Sequence, residues 1–199
     1  MGQRTQLVVE VTKVNEDYST GKKSKKTYVG SYHNQWGIGK MQLLDVIRMV
    51  TSYADSMDEE YTFPEKLHKG WLLNNKEYEH PFKGKATPER VMNWINKTQD
   101  NNNGGLLLKL KVDHFNYIVS GELYFFNDPE KEYCDYYDEH PDGDSDKVFK
   151  VDRQISFLDY MNYTPEYFNE PFVTAFTALM RFYNIQIMEP KPKDEGSKW

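Results

Sequence analysis

The chain predicts an α+β fold: a mainly antiparallel sheet of about five strands with three helices packed on it. Three observations carry that reading. Period-two segments rich in β-branched and leucine residues stand near the start and in the middle of the chain. Segments with apolar residues at helical spacing fall between and after them, and the sequence contains no internal repeat. At 199 residues the chain suits one domain. Residues 1–190 are expected to form a single globular unit with an acidic loop at 127–146, and residues 191–199 a flexible tail.

The first strand is read in TQLVVEVTK, where Leu7, Val9 and Val11 alternate with Val8, Glu10 and Thr12. KTYVGSYH repeats the pattern after a polar, glycine-containing turn, so the two form an antiparallel hairpin with a long tip. A helix follows in MQLLDVIRMVTSYADSM, with Leu43, Leu44, Ile47, Val50 and Ala54 as its apolar stripe. The stretch TFPEKLHKGWLLNNKEYEHPFKGK is rich in Pro, Gly and polar residues and reads as loop. Thr87 then caps a second helix, Pro88 suits its first position, and Val91, Trp94 and Ile95 face inward.

LLLKLKVDHFNYIVSGELYFF reads as two strands around an HFNY turn, with Leu106, Leu108, Leu110 and Val112 on one face. KVFKVDRQISF adds a fifth strand or an edge segment. The last helix lies in TPEYFNEPFVTAFTALMRFYN, where Phe172, Phe176, Leu179, Met180 and Tyr183 recur at helical spacing and Pro171 marks its start; IQIM returns as a short strand. This order predicts helices covering one face of the sheet.

Aromatic residues make up 15% of the chain against 38% apolar overall, so Tyr, Phe and Trp are expected to fill the core. The single cysteine, Cys134, excludes an internal disulfide and fits a reducing compartment. The N-terminus lacks the basic start and apolar run of a secretory signal, and no segment has the apolar length to span a bilayer. Gln6 stands where N-myristoylation requires Ser or Thr. These features lead to the expectation of a soluble, cytoplasmic protein without a membrane partner.

The net charge of −6 is unevenly spread. Between Asn127 and Asp146 nine carboxylates face one lysine, a local balance of −8, so the remainder of the chain is slightly basic. GKKSKK, Gly21 to Lys26, carries the opposite sign and suits a phosphate backbone. Such blocks are most often solvated loops. In the acidic block, however, Tyr133, Tyr136 and Tyr137 alternate with Asp135, Asp138, Asp142 and Asp144. That pattern can occupy a basic groove that otherwise holds phosphates and stacked bases. Asp138, His140, Asp142, Gly143, Asp144 and Asp146 partly imitate a calcium loop, but Phe149 stands where a bidentate glutamate is required. The sequence assigns no metal and calls for no cofactor.

YHNQWGIGKM, Tyr32 to Met41, joins a predicted strand to a predicted helix. Gly37 and Gly39 permit a sharp turn and close ligand approach. Gln35 can orient a ligand and Trp36 can stack on one. His33 is a candidate general acid or base, with Arg4 and Lys40 as candidate stabilisers of phosphate charge. The structural alternative is that Trp36 fills the core and the glycines shape a turn. No Walker loop is present, because Asn34 and Met41 occupy the positions of its first glycine and its hydroxyl. Cys134 lies among carboxylates that oppose a thiolate, and His68, His80, His114 and His140 lack metal-ligand spacing.

The opening MGQR followed by a strand, then Tyr32 and QW with GIG before a helix, resembles a group of small proteins encoded by phages and other mobile elements. Members of that group open Met-Gly-Thr-Arg and carry Gln-Trp-Asp-Gly-Tyr-Pro followed by glycines. Gly2, Arg4, Gln35, Trp36, Gly37 and Gly39 carry the match over the first quarter of the chain; Gln3 replaces the threonine, and Asp-Gly-Tyr-Pro is absent after Trp36. The resemblance implies a bacterial cytoplasm and an accessory gene, where counter-defence is a common occupation. Two functions are therefore expected. One is an anti-CRISPR-like inhibitor that binds a basic surface of a host defence ribonucleoprotein or nuclease through the acidic block. The other, read from the YHNQWGIGKM residues, is a metal-independent nuclease or other phosphodiester-acting enzyme that uses His33 to degrade guide or other RNA.

Overall fold

The alternating residues near the N-terminus form β1 (Arg4–Asp17), which pairs antiparallel with β2 (Lys22–Asn34) from Thr5↔Asn34 to Asp17↔Lys22. The computed structural model describes residues 4–34, 40–55, 75–77, 82–98, 102–115, 117–127, 151, 153–162 and 170–191. Asp17 organises the hairpin turn. Its carboxylate accepts the Ser19 N–H at 2.9 Å and the hydroxyls of Ser19 and Thr20 at 2.6 and 2.7 Å, while Gly21 supplies a φ of 66°.

Then follow α1 (Lys40–Asp55), β3 (Asn75–Glu77), α2 (Pro88–Thr98), β4 (Asn102–Val112), β5 (Ile118–Asn127) and β6 (Arg153–Ile155). The chain ends in α3 (Phe157–Asn162), α4 (Glu170–Phe182) and β7 (Ile185–Ile187). The strands form one sheet in the order β3-β2-β1-β4-β5-β6, with β7 also paired to β5. Antiparallel pairings dominate, as the sequence predicts. The central pair β1·β4 is parallel, in register from Leu7↔Leu106 to Lys13↔Val112. β6 takes Phe125–Asn127 and β7 takes Gly121–Leu123, and Gln154 Nε2 donates to the Met188 carbonyl at 2.9 Å, so two short strands together cover one edge of β5.

The first face of the sheet carries Leu7, Val9, Val11, Leu106, Leu108, Leu110, Val112, Leu123 and Phe125, all buried. Against it pack Leu43, Val46, Met49 and Val50 of α1, Phe157, Tyr160 and Met161 of α3, and Phe176 and Met180 of α4. Phe125 meets Phe157 and Tyr160 at ring separations of 5.3 and 5.0 Å. Each such fully buried side chain contributes roughly 1.5–3 kcal/mol of transfer free energy.

The second face is also covered, which corrects the expectation of helices on one face only. Val91 and Ile95 of α2, with Phe82, Ala86 and Val151, close over Val8, Leu107 and Phe126. The physical reason is that Val8, Leu107 and Phe126 are apolar as well as their neighbours in sequence, so both sides of the strands shed water there. Gly105 permits the approach of α2, because a Cβ at that position would fall against Ile95 Cδ1.

Other expectations meet the structure as follows. Thr87 caps α2 by accepting the Arg90 N–H at 3.4 Å, and Pro88 is its first residue. The buried side of α1 is rotated from the predicted stripe, with Val46 and Met49 fully buried and Leu44 and Ile47 partly so. The stretch read as loop contains β3. The short helix α3 had no periodic signal of its own; Ser156 starts it, accepting the Asp159 N–H at 3.0 Å and donating to the Asp159 carboxylate at 2.7 Å.

Candidate functional site

Strand pairing brings the backbones of several predicted site residues to one end of the sheet. Arg4 opens β1 opposite Asn102, His33 lies opposite Gln6 on one side and Lys76 on the other, and Lys40 is the first residue of α1. Thr5 Oγ1 donates to Gln42 Oε1 at 2.8 Å, tying the first turn of α1 to β1. Thr5, Gln6 and Gln42 are all fully buried, and neither polar atom of the Gln6 side chain has a hydrogen-bond partner among the described residues. An orphan amide of this kind costs about 1–3 kcal/mol, so this end of the sheet has a polar, incompletely satisfied interior. The side chains of Arg4, His33 and Lys40, and residues Gln35, Trp36, Gly37 and Gly39, lie outside the described residues.

The strand residues that flank the acidic block lie at the same sheet end. β5 ends at Asn127, which pairs with Arg153 at the start of β6, so the strand residues flanking 128–152 are adjacent. Asn96 of α2 fixes the returning chain through two hydrogen bonds to Val151, one from Asn96 Nδ2 to the carbonyl at 2.7 Å and one from the Val151 N–H to Oδ1 at 2.9 Å. Tyr133, Asp135, Tyr136, Tyr137, Asp138, Asp142 and Asp144 lie outside the described residues.

The opposite end of the second face holds a charged surface that sequence reasoning missed. Across β1, β4 and β5, Glu10, Lys109 and Glu122 stand in one row, fixed by the pairings Glu10↔Lys109 and Lys109↔Glu122. Lys109 Nζ is 3.7 Å from a carboxylate oxygen of each glutamate. Glu10 is buried, and its second oxygen accepts the Ala86 N–H at 2.8 Å. Phe82 N–H donates to Ser31 Oγ at 2.9 Å, so the segment 82–86 is pinned across the sheet at two points. Tyr124 donates its hydroxyl to Glu122 at 2.7 Å; burial, then that hydrogen bond, then the carboxylate charge push its phenol well above the ordinary value.

Around this row the surface is concave. A hollow of about 450 Å³ lies over Glu10, Lys25, Lys109, Lys111 and Glu122, and a second of about 800 Å³ over Glu10, Lys25, Lys83 and Lys85. The two share Glu10, Thr12 and Lys25 and so adjoin on this face as a trough in two parts. A signal for it existed in LLLKLKV, where the lysines take the positions alternate to Leu108 and Leu110.

No family model matches the chain, and no curated protein or solved structure matches it. No helix among the described residues is long and apolar enough to cross a membrane.

Proposed function

We propose that this chain is a counter-defence protein of a mobile element, an anti-CRISPR-like inhibitor that binds a basic surface of a host nucleic-acid-guided nuclease through residues 127–146. The observation that carries the reading is the concentration of nine carboxylates and three tyrosines against one lysine in that block. The flanking strands support the same reading, because Asn127 at the end of β5 pairs with Arg153 at the start of β6 on one sheet end. Charge of that density competes with phosphate for a cationic groove, and the tyrosines supply rings where bases would stack. The test is native pull-down with guide-loaded defence nucleases, followed by a cleavage assay. The expected result is stable association and inhibition that is lost when Asp135, Asp138, Asp142 and Asp144 are replaced by Asn; inhibition untouched by those changes overturns the proposal.

A second reading is a metal-independent nuclease with His33 as general base or acid and Arg4 or Lys40 stabilising phosphate charge. The meeting of the Arg4, His33 and Lys40 backbones near the buried polar residues Thr5, Gln6 and Gln42 favours it. Incubation of the protein with RNA separates the two readings. Defined truncated products that vanish in His33→Ala support the nuclease, whereas intact RNA with a stable nuclease complex supports the inhibitor.

A further inference from the structure

We propose that the lysine-lined trough on the second face, with the aromatic tips of the two neighbouring hairpins, is a binding site for single-stranded nucleic acid. The trough residues are not members of the acidic block, whose flanking strand residues Asn127 and Arg153 lie at the other end of the sheet, so this site and the inhibitor reading are tested by different variants.

Charge comes first. Lys109 is held by Glu10 and Glu122, but Lys25, Lys83, Lys85 and Lys111 form no ion pair among the described residues. They line two adjoining hollows, so their fields overlap on one face and favour a ligand carrying several negative charges. A chain of phosphates fits that requirement better than one small anion, because the lysines are distributed along the trough rather than converging on one point.

Aromatic geometry comes second. The β1–β2 and β4–β5 turns meet at the end of the sheet towards which the trough residues Val14, Lys25 and Lys111 lie in strand register. The Tyr18 hydroxyl is 2.6 Å from His114 Nε2, and the His114 and Phe115 rings lie 3.6 Å apart. Asp113 shapes this tip by accepting the N–H groups of Phe115 and Tyr117 at 3.0 and 2.8 Å. The result is a set of exposed rings, with Tyr18 at 72%, Phe115 at 58% and Tyr117 at 45% of full exposure. Large aromatic side chains held at tips in this way leave apolar surface in water that base stacking would cover. Cations tracking a backbone beside stacking platforms suit an unpaired strand. A duplex, by contrast, keeps its base faces stacked internally.

The test is fluorescence polarisation of the full-length protein with a labelled oligouridylate across a salt series. Binding should weaken with salt at a log–log slope of roughly −2, as for about three lysine–phosphate contacts. The exposed double change Lys25→Glu/Lys111→Glu should weaken binding at least about tenfold and flatten that slope. Phe115→Ala/Tyr117→Ala should weaken it about tenfold with the slope retained, because stacking carries no counterion release. Circular dichroism confirms that each variant is folded. The proposal is overturned by any of three results: no binding by the folded wild type at low salt, binding indifferent to both double variants, or equal displacement by polyglutamate, which would assign the trough to an acidic protein.

Discussion

The second face of the sheet has two halves built by the same three strands, one sealed and one open. In the sealed half, Val8, Leu107 and Phe126 lie under α2. In the open half, Glu10, Lys109 and Glu122 line the trough. On the first face the same strands stay apolar throughout, from Leu7 to Val11 and from Leu106 to Val112. The sequence difference is local. Where both faces are covered, apolar residues run consecutively, as in Leu7-Val8-Val9, Leu106-Leu107-Leu108 and Tyr124-Phe125-Phe126. Where one face meets water, they alternate, as in Glu10-Val11-Thr12 and Lys109-Leu110-Lys111. Strand register aligns the consecutive runs in neighbouring rows, and that alignment leaves the polar positions together at the other end.

The sharpest way to break this comparison is a cavity on the sealed side. Phe126→Ala removes a fully buried ring from the layer that α2 covers and should cost roughly 3–5 kcal/mol in urea unfolding. A smaller but diagnostic loss is expected from Glu10→Ala, which strands the Ala86 N–H and leaves Lys109 with Glu122 alone. It should cost about 1–3 kcal/mol, and Glu10→Gln, which keeps an oxygen for Ala86, should recover part of it. Lys111→Ala on the open half should stay within about 0.5 kcal/mol of wild type, since an exposed lysine with no ion pair among the described residues adds little to folding.

The smallest effect is a local one at the hairpin tip. Hydrogen bonds from Ser19 and Thr20 lower the Asp17 carboxyl to about 2 from its ordinary 3.8. A depressed carboxyl stabilises the folded form above the unfolded value, so its contribution is complete above pH 3.8 and fades as pH falls towards 2. Amide NMR of Ser19 and Thr20 should report opening of the turn in that window, and Asp17→Asn should remove the pH dependence.

How far the fold was legible follows from the same patterns. Period-two alternation identified β1, β2 and β4, and the Thr87-Pro88 start identified α2, because these signals are local. The parallel pairing of β1 with β4 was not legible, since it is fixed by packing between segments far apart in sequence. The cover on the second face was not legible from alternation alone, because Val8 shares its face with the polar Glu10 and Thr12, and Leu107 shares its face with Lys109 and Lys111. Of the candidate site, the lysines of LLLKLKV were visible as letters, but only strand register sets Lys109 between Glu10 and Glu122. Lys83 and Lys85 reach the trough because hydrogen bonds to Ser31 and Glu10 draw their segment across the sheet.

The central pairing of β1 with β4 also bears on how the molecule is made. Residues 18–101 must leave the ribosome before β1 can meet its partner, so a nascent chain carries the β1–β2 hairpin with Leu7, Val9 and Val11 still lacking that neighbour. Lys22, Lys23, Lys25 and Lys26 on β2 repel other nascent copies during that interval. Trading them for neutral residues should lower the yield of soluble protein during translation more than it lowers the stability of the finished fold.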